Sequence, residues 1–201
     1  MLRRERQNVR KPLRLILVCV LLVPICAMAG WIDREGKPLP DAPDRKSIGD
    51  YGAWLVLTDK ESEAFSRWGT LSEGVYINST EKIERGKILT ALVMFSGCGA
   101  DKNGDCDLVV KFKIVQPDGK VYADLPYQEA WLGKPVPPNK SLGMSVGYIR
   151  VVIEPGEPLG KYTVHANVRD KNMKKTIDLL SVFEAVEQNT QHYKSLNKDA
   201  P

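Results

Sequence analysis

The sequence predicts a mainly β protein, an antiparallel sandwich carrying one short helix near its start. Three observations carry that expectation. Lys161–Arg169 alternates strictly, with Tyr162, Val164, Ala166 and Val168 on one side and Thr163, His165, Asn167 and Arg169 on the other. Gln116-Pro117-Asp118-Gly119-Lys120 and Pro155-Gly156 are turn signals that break the chain into short runs. Lys87–Ser96 is nearly continuous apolar sequence, the pattern of a strand buried on both faces.

The elements follow in order. Gly30–Asp50 holds Pro38, Pro40 and Pro43 without a sustained period, so it is expected as an extended linker or surface strap. Residues 51–186 form the expected sandwich domain. Ala53–Leu57 opens it with a short apolar strand. Asp59–Trp68 then predicts the helix, with Thr58 or Asp59 as N-cap, Glu61 in the first turn and Ala64, Phe65 and Trp68 near one face. Lys87–Ser96 and Asp107–Val115 come next, the second with Leu108, Val110, Phe112 and Ile114 on its inner side. A short strand at Val121–Ala123 follows the Pro-Asp-Gly turn. Leu125–Leu142 is rich in Pro and Gly and reads as irregular. Val146–Glu154, Lys161–Arg169 and Lys175–Val186 are the last three strands. Glu187–Pro201 is polar and aperiodic, a flexible tail. Several short strands separated by turns in about 130 residues make a sandwich the natural architecture.

Residues 1–29 address the chain. Arg3, Arg4, Arg6, Arg10, Lys11 and Arg14 precede an apolar run, Leu15–Ala29, that ends in Ala27-Met28-Ala29. A basic start, a short apolar core and an Ala-x-Ala exit describe a signal peptide cut after Ala29. The alternative is a retained inner-membrane anchor, but the run is shorter than the ~20 apolar residues a spanning helix needs and contains Pro24. Cys26 does not make a lipoprotein site, because Ile25 stands where a small residue belongs. The expected location is periplasmic or secreted, with a membrane partner only if residues 1–29 are retained.

Removal of the segment changes the charge. The chain has 29 basic and 25 acidic side chains, and residues 1–29 hold six of the basic and one of the acidic. From Gly30 onward 23 basic and 24 acidic remain, a net charge of −1. No basic stripe is left for a phosphate backbone, so nucleic acid is not an expected partner. The same cut leaves two cysteines, Cys98 and Cys106, which are expected to pair in an oxidising compartment. Closing so short a loop contributes about 2.6 kcal/mol in the chain-entropy model.

Glu157-Pro158-Leu159-Gly160-Lys161-Tyr162-Thr163-Val164 resembles the P-x-G-x-Y-x-V run into a late strand of immunoglobulin-like domains, including bacterial and macroglobulin-type ones. Ala166-Asn167-Val168-Arg169-Asp170 fits the same pattern. The resemblance implies an immunoglobulin-like sandwich in which Tyr162 anchors a corner by hydrogen-bonding nearby backbone. Together with Phe95-Ser96-Gly97-Cys98, this ending is similar to uncharacterised envelope proteins of Gram-negative bacteria. A fold of this kind hosts many activities and names none.

The chemistry on offer is sparse. Asp101-Lys102-Asn103-Gly104-Asp105-Cys106-Asp107 resembles the opening of a calcium loop, with Asp101, Asn103, Asp105 and Asp107 as candidate ligands. Cys106 and Phe112 stand where that loop wants Gly and a closing Glu, so a disulfide-stapled turn is the competing reading. A hydrolase would need His165 to meet an acid and a hydroxyl, and the nucleophile-elbow, HExxH, P-loop and Rossmann patterns are absent. His192 lies in the tail. Trp54 and Trp68 are expected in the core, whereas Trp131 and Tyr162 are interaction candidates.

The expected function is therefore binding without catalysis. An exported sandwich would contact an envelope protein through its sheet edges and the loops Gly97–Asp107 and Leu125–Leu142, by strand addition or loop docking. The alternative is a calcium- or small-ligand-binding periplasmic module. No resident cofactor is expected.

Overall fold

The computed structural model describes residues 31, 32, 35, 37–68, 77–138 and 141–188. The signal segment, His192 and nearly all of the polar tail lie outside these residues. Among them two sheets face each other across one core. The first has the order β10-β6-β4-β3: β3 (Arg45–Ile48), β4 (Tyr51–Thr58), β6 (Ile88–Ser96) and β10 (Gly143–Val152). The second has the order β5-β12-β11-β7-β8: β5 (Lys82–Glu84), β7 (Asp105–Val115), β8 (Val121–Asp124), β11 (Gly160–Asp170) and β12 (Lys175–Val186). β9 (Gln128–Pro135) pairs with β7 in line with β8. Every pair is antiparallel except β5 with β12. A two-stranded strap, β1 (Trp31–Ile32) and β2 (Pro38–Leu39), leads in. No sheet closes into a barrel.

Period-two alternation builds the core. β7 turns Cys106, Leu108, Val110, Phe112 and Ile114 inward, and β11 turns Tyr162, Val164, Ala166 and Val168 inward beside them. From the opposite sheet come Tyr51, Ala53, Leu55 and Leu57 of β4 and Leu89, Ala91, Val93 and Phe95 of β6. The other face of β6 is buried as well. Leu92 and Met94 meet Val56, Ala64, Ile77 and Met144 in a second cluster outside the first sheet, flanked by Trp54, Phe65 and Trp68. Helix α1 (Glu61–Arg67) is the lid that creates it, with Phe65 against Tyr148 at 5.1 Å between ring centroids. The continuous apolar run of β6 thus reports a strand covered by a sheet below and a helix above.

Several features differ from the sequence reading. Arg45–Ile48, inside the expected linker, is a strand hydrogen-bonded to β4. Gln128–Pro135, inside the expected irregular segment, is β9. Two register shifts, opposite Cys106/Asp107 and Leu108/Val109, break the alternation that would have revealed it. β10 starts at Gly143, three residues early, because a register shift between Met144 and Tyr148 scrambles its pattern. The helix N-cap is Lys60, whose N–H donates to Thr58 Oγ1 at 3.0 Å.

Candidate interaction surface

One end of the sandwich gathers the disulfide, the β3–β4 and β11–β12 turns and the end of β9. Cys98 and Cys106 are bonded, with 5.9 Å between their Cα atoms, and both are buried. The loop they close is braced to its neighbours by two polar side chains. Asp170 is fully buried at the end of β11; its Oδ2 accepts the Gly99 N–H at 2.7 Å and its Oδ1 the Met173 N–H at 2.8 Å. Asn172 Nδ2 donates to the carbonyls of Gly99 at 2.9 Å and Asp105 at 3.0 Å. Gly97 has φ +67°, and a Cβ there would stand 2.0 Å from the Asp50 carbonyl oxygen, so only glycine lets the loop pass the β3–β4 turn. Tyr51 lies beneath, its hydroxyl buried with no hydrogen-bond partner among the described residues; burial, then the Asp170 charge, push its pKa up.

Three of the four candidate calcium ligands, Asp101, Asn103 and Asp107, hold partners within the protein. Asp101 Oδ1 accepts the backbone N–H of Asn103 at 2.7 Å and of Asp105 at 2.9 Å, while Oδ2 takes Asn103 Nδ2 at 3.3 Å. Those backbone bonds, Asp105 first, hold its carboxyl below the usual range. Asp107 pairs with Lys171 at 3.1 Å. Among the described residues no three His, Cys, Asp or Glu side chains are grouped to hold a metal ion. Asp101 thus caps a tight turn, and Asp105 and Asp107 lie at the start of β7.

Beside this loop runs a groove of about 390 Å³, lined by Trp31, Ile32, Gly49, Asp50, Gly52 and Leu142 with Ser47 and Ser96. The Trp31 indole lies on Gly52, where an added Cβ would be 3.1 Å from the ring. Its Nε1 donates to the Lys46 carbonyl at 3.3 Å, and its ring meets Trp54 edge-on at 6.3 Å. Ile32, which lines the groove, is 57% exposed, and Ile48, 44% exposed, pairs with Tyr51 and so faces the other side of the sheet.

The opposite end closes on itself. Tyr162 is buried, stacks on Phe183 at 5.2 Å, and its hydroxyl donates to the Pro158 carbonyl at 2.7 Å. That bond ties down the corner before β11, and the buried ring is not available as an exposed contact. Arg85 reaches the carbonyls of Glu154 and Glu157 and the Glu187 carboxylate. Tyr122 OH lies 3.1 Å from the Val152 carbonyl and 3.2 Å from Glu157 Oε2; burial, then that carboxylate, push its pKa up to about 12.

Trp131 is half-buried, its ring 5.4 Å from Phe95, its Nε1 donating to the Pro135 carbonyl and Lys134 covering its other face at 4.8 Å. It belongs to the sandwich margin more than to an open contact. His165 lies on the outer face of the second sheet, with Lys113 and Leu180 as register neighbours, and among the described residues no hydrogen bond joins it to an acid or hydroxyl.

Strand edges are blunted. Asp41 Oδ1 accepts the Ser47 N–H at 3.1 Å, and Ala42 exchanges two backbone bonds with Arg45, so the open side of β3 is occupied. β9 carries two register shifts and ends in Lys134-Pro135. β10 bends at Ser145, whose hydroxyl accepts the Val93 N–H and donates to the Gly147 carbonyl, and the Glu129 carbonyl presses on Gly147. β5 and β8 have three and four residues.

Sequence reading missed Trp31, Asp170 and Asn172. Asp170 had a signal: it continues the inward phase of Tyr162, Val164, Ala166 and Val168, so an acid was due in the core. Trp31 had none, because its burial depends on a glycine 21 positions later.

No family model matches the sequence, and no curated protein matches it. Among solved structures, the chain is similar to a family 123 glycoside hydrolase from Clostridium perfringens, at 9% identity and TM-score 0.39, over 68% of this chain and 28% of that one. It therefore spans little more than a quarter of that enzyme. A superoxide reductase (neelaredoxin) from Ignicoccus hospitalis is similar at 9% identity and TM-score 0.35, over 55% of this chain and 78% of that one. A Niemann-Pick type C2 protein from Japanese carpenter ant is similar at 10% identity and TM-score 0.35, over 67% and 89%. Scores of this size carry neither topology nor activity, and the molecule's class stays at a mainly β, disulfide-bonded, two-sheet domain.

Proposed function

We propose that this is an exported, non-catalytic binding or assembly protein of the bacterial envelope, with an immunoglobulin-like sandwich that works through its disulfide end. The supporting observation is the contrast in that end's construction. Its loops are fixed by a disulfide, Asp170 and Asn172, yet it leaves an apolar groove with Ile32 exposed. Rigid loops bearing exposed apolar side chains lose little entropy on binding. The disulfide fits an oxidising compartment, and among the described residues no helix is long and apolar enough to cross a membrane. The partner in this reading is an envelope protein.

The test places a photo-cross-linking residue at Lys102 or Lys134, at the disulfide end, and at Leu159, at the other, in cells of the source. One discrete protein adduct from Lys102 or Lys134 and none from Leu159 is expected. Adducts from Leu159 alone, or none at all, would contradict the reading. The groove's size supports a second reading, a small apolar ligand; it requires a melting temperature that rises with an extract of apolar metabolites and stays unchanged in calcium.

A further inference from the structure

The two sheets differ in what their outer faces carry. Helix α1, the second cluster and the Trp31 strap all sit on the outer face of the first. The outer face of the second stays open, with Val182 38% exposed and Tyr127 40% exposed. There β7, β11 and β12 stand in register, so their outward side chains form rows across three strands. Val115, Thr163 and Val182 make one row, and Lys113, His165 and Leu180 the next. Lys111, Asn167 and Asp178 make the third. The β7 side of the face is therefore cationic, and in the third row the β12 side is acidic. Both charges of that row are already positioned: Lys111 holds Asp124 at 2.8 Å, and Asp178 accepts the Asn167 amide. Side chains held in this way lose little freedom on meeting a partner.

We propose that this face packs on the same face of a second copy, about a two-fold axis running along β11. Such an axis lays β7 of each copy over β12 of the other. Lys111 then meets Asp178 of the second copy, Val115 meets Val182, and the Lys113 stem lies on Leu180. Thr163, His165 and Asn167 fall on the axis opposite their own copies, while Arg169 leans off it over the Tyr127 ring at 4.7 Å. The other in-plane axis, across the strands, would lay β7 on β7 and set lysine against lysine, so the charges select the first. The size also suits a dimer. Strands of 11 residues, four abreast when β8 and β9 count as one, present about 700 Å² per copy. A standard interface takes about 800 Å² from each partner. Because the groove opens on the outer side of the first sheet, the pairing leaves it free.

The test purifies the protein from its source and follows its mass by sedimentation equilibrium from micromolar to millimolar concentration. A reversible dimer is expected. Lys111→Glu should weaken it about tenfold, since symmetry places the like-charge pair in the interface twice. Asp178→Lys should do the same. The two together should restore the parent affinity to within about threefold, a recovery that misfolding cannot imitate. Thr163→Cys, on the axis, is expected to join to its copy through a short bismaleimide, and Lys102→Cys, in the disulfide loop, is not. A monomer throughout would overturn the proposal, whatever else covers the face. So would a dimer that neither reversal weakens, one that the double reversal fails to restore, or one joined through Lys102→Cys instead.

Discussion

The two ends of this sandwich are braced by different chemistry. At one, a disulfide, a buried aspartate and an asparagine lock the loops from within, and apolar side chains remain outside. At the other, Arg85, Tyr122, Glu157 and Tyr162 spend their polar atoms on local carbonyls and on each other. The difference teaches how a small domain presents a surface. The far end spends its side chains on its own backbone. The disulfide end is held rigid by groups beneath it, which leaves its exterior free for contact.

Substitutions can break that contrast, beginning with the largest effect. Asp170→Ala orphans two partly buried backbone N–H groups, a cost of about 3 kcal/mol, and is expected to be the most destabilising single change at the disulfide end by urea denaturation. A loss below that of Tyr162→Phe would show that the loop is not braced from beneath. Cys98→Ala with Cys106→Ala follows, at about 2.6 kcal/mol. Hydrogen exchange should quicken in residues 97–106 while residues 154–162 keep their protection; equal quickening at both ends would erase the distinction. Tyr162→Phe removes one hydrogen bond to the Pro158 carbonyl, about 1 kcal/mol, with faster exchange confined to the far end.

Alkali acts on the far end too. The Tyr122 pKa is raised above its unfolded value of 10, to about 12, so it contributes stability in full below pH 10. That contribution fades as pH rises from 10 to 12. Tyr122→Phe should flatten the stability profile in this window, and an unchanged profile would remove Tyr122 from the far-end brace. The smallest effect is expected at Asp101→Ala. Its turn loosens, and calcium moves the melting temperature of neither parent nor variant; a rise in the parent alone would restore the calcium loop.

Legibility in the sequence followed regularity. β11 and β7 were plain because their alternation runs unbroken from Lys161 to Arg169 and from Asp107 to Val115. β6 was plain because both of its faces are covered. β9 was hidden by register shifts that place Ala130 and Trp131 out of phase, and β3 by prolines that mark a strap where an edge strand also lies. The disulfide was legible from compartment and count. The groove was not, because it forms where Trp31 lies on Gly52, Leu142 comes from a distant turn, and no local pattern records that meeting.

The central claim is that the disulfide end is the contact surface, and hydrogen exchange of the protein in isolated envelopes against the purified chain tests it most directly. Slower exchange is expected in residues 45–50, 97–105 and 133–136, with residues 85–87 and 154–160 unchanged. Protection confined to the far end, or to neither, would contradict it.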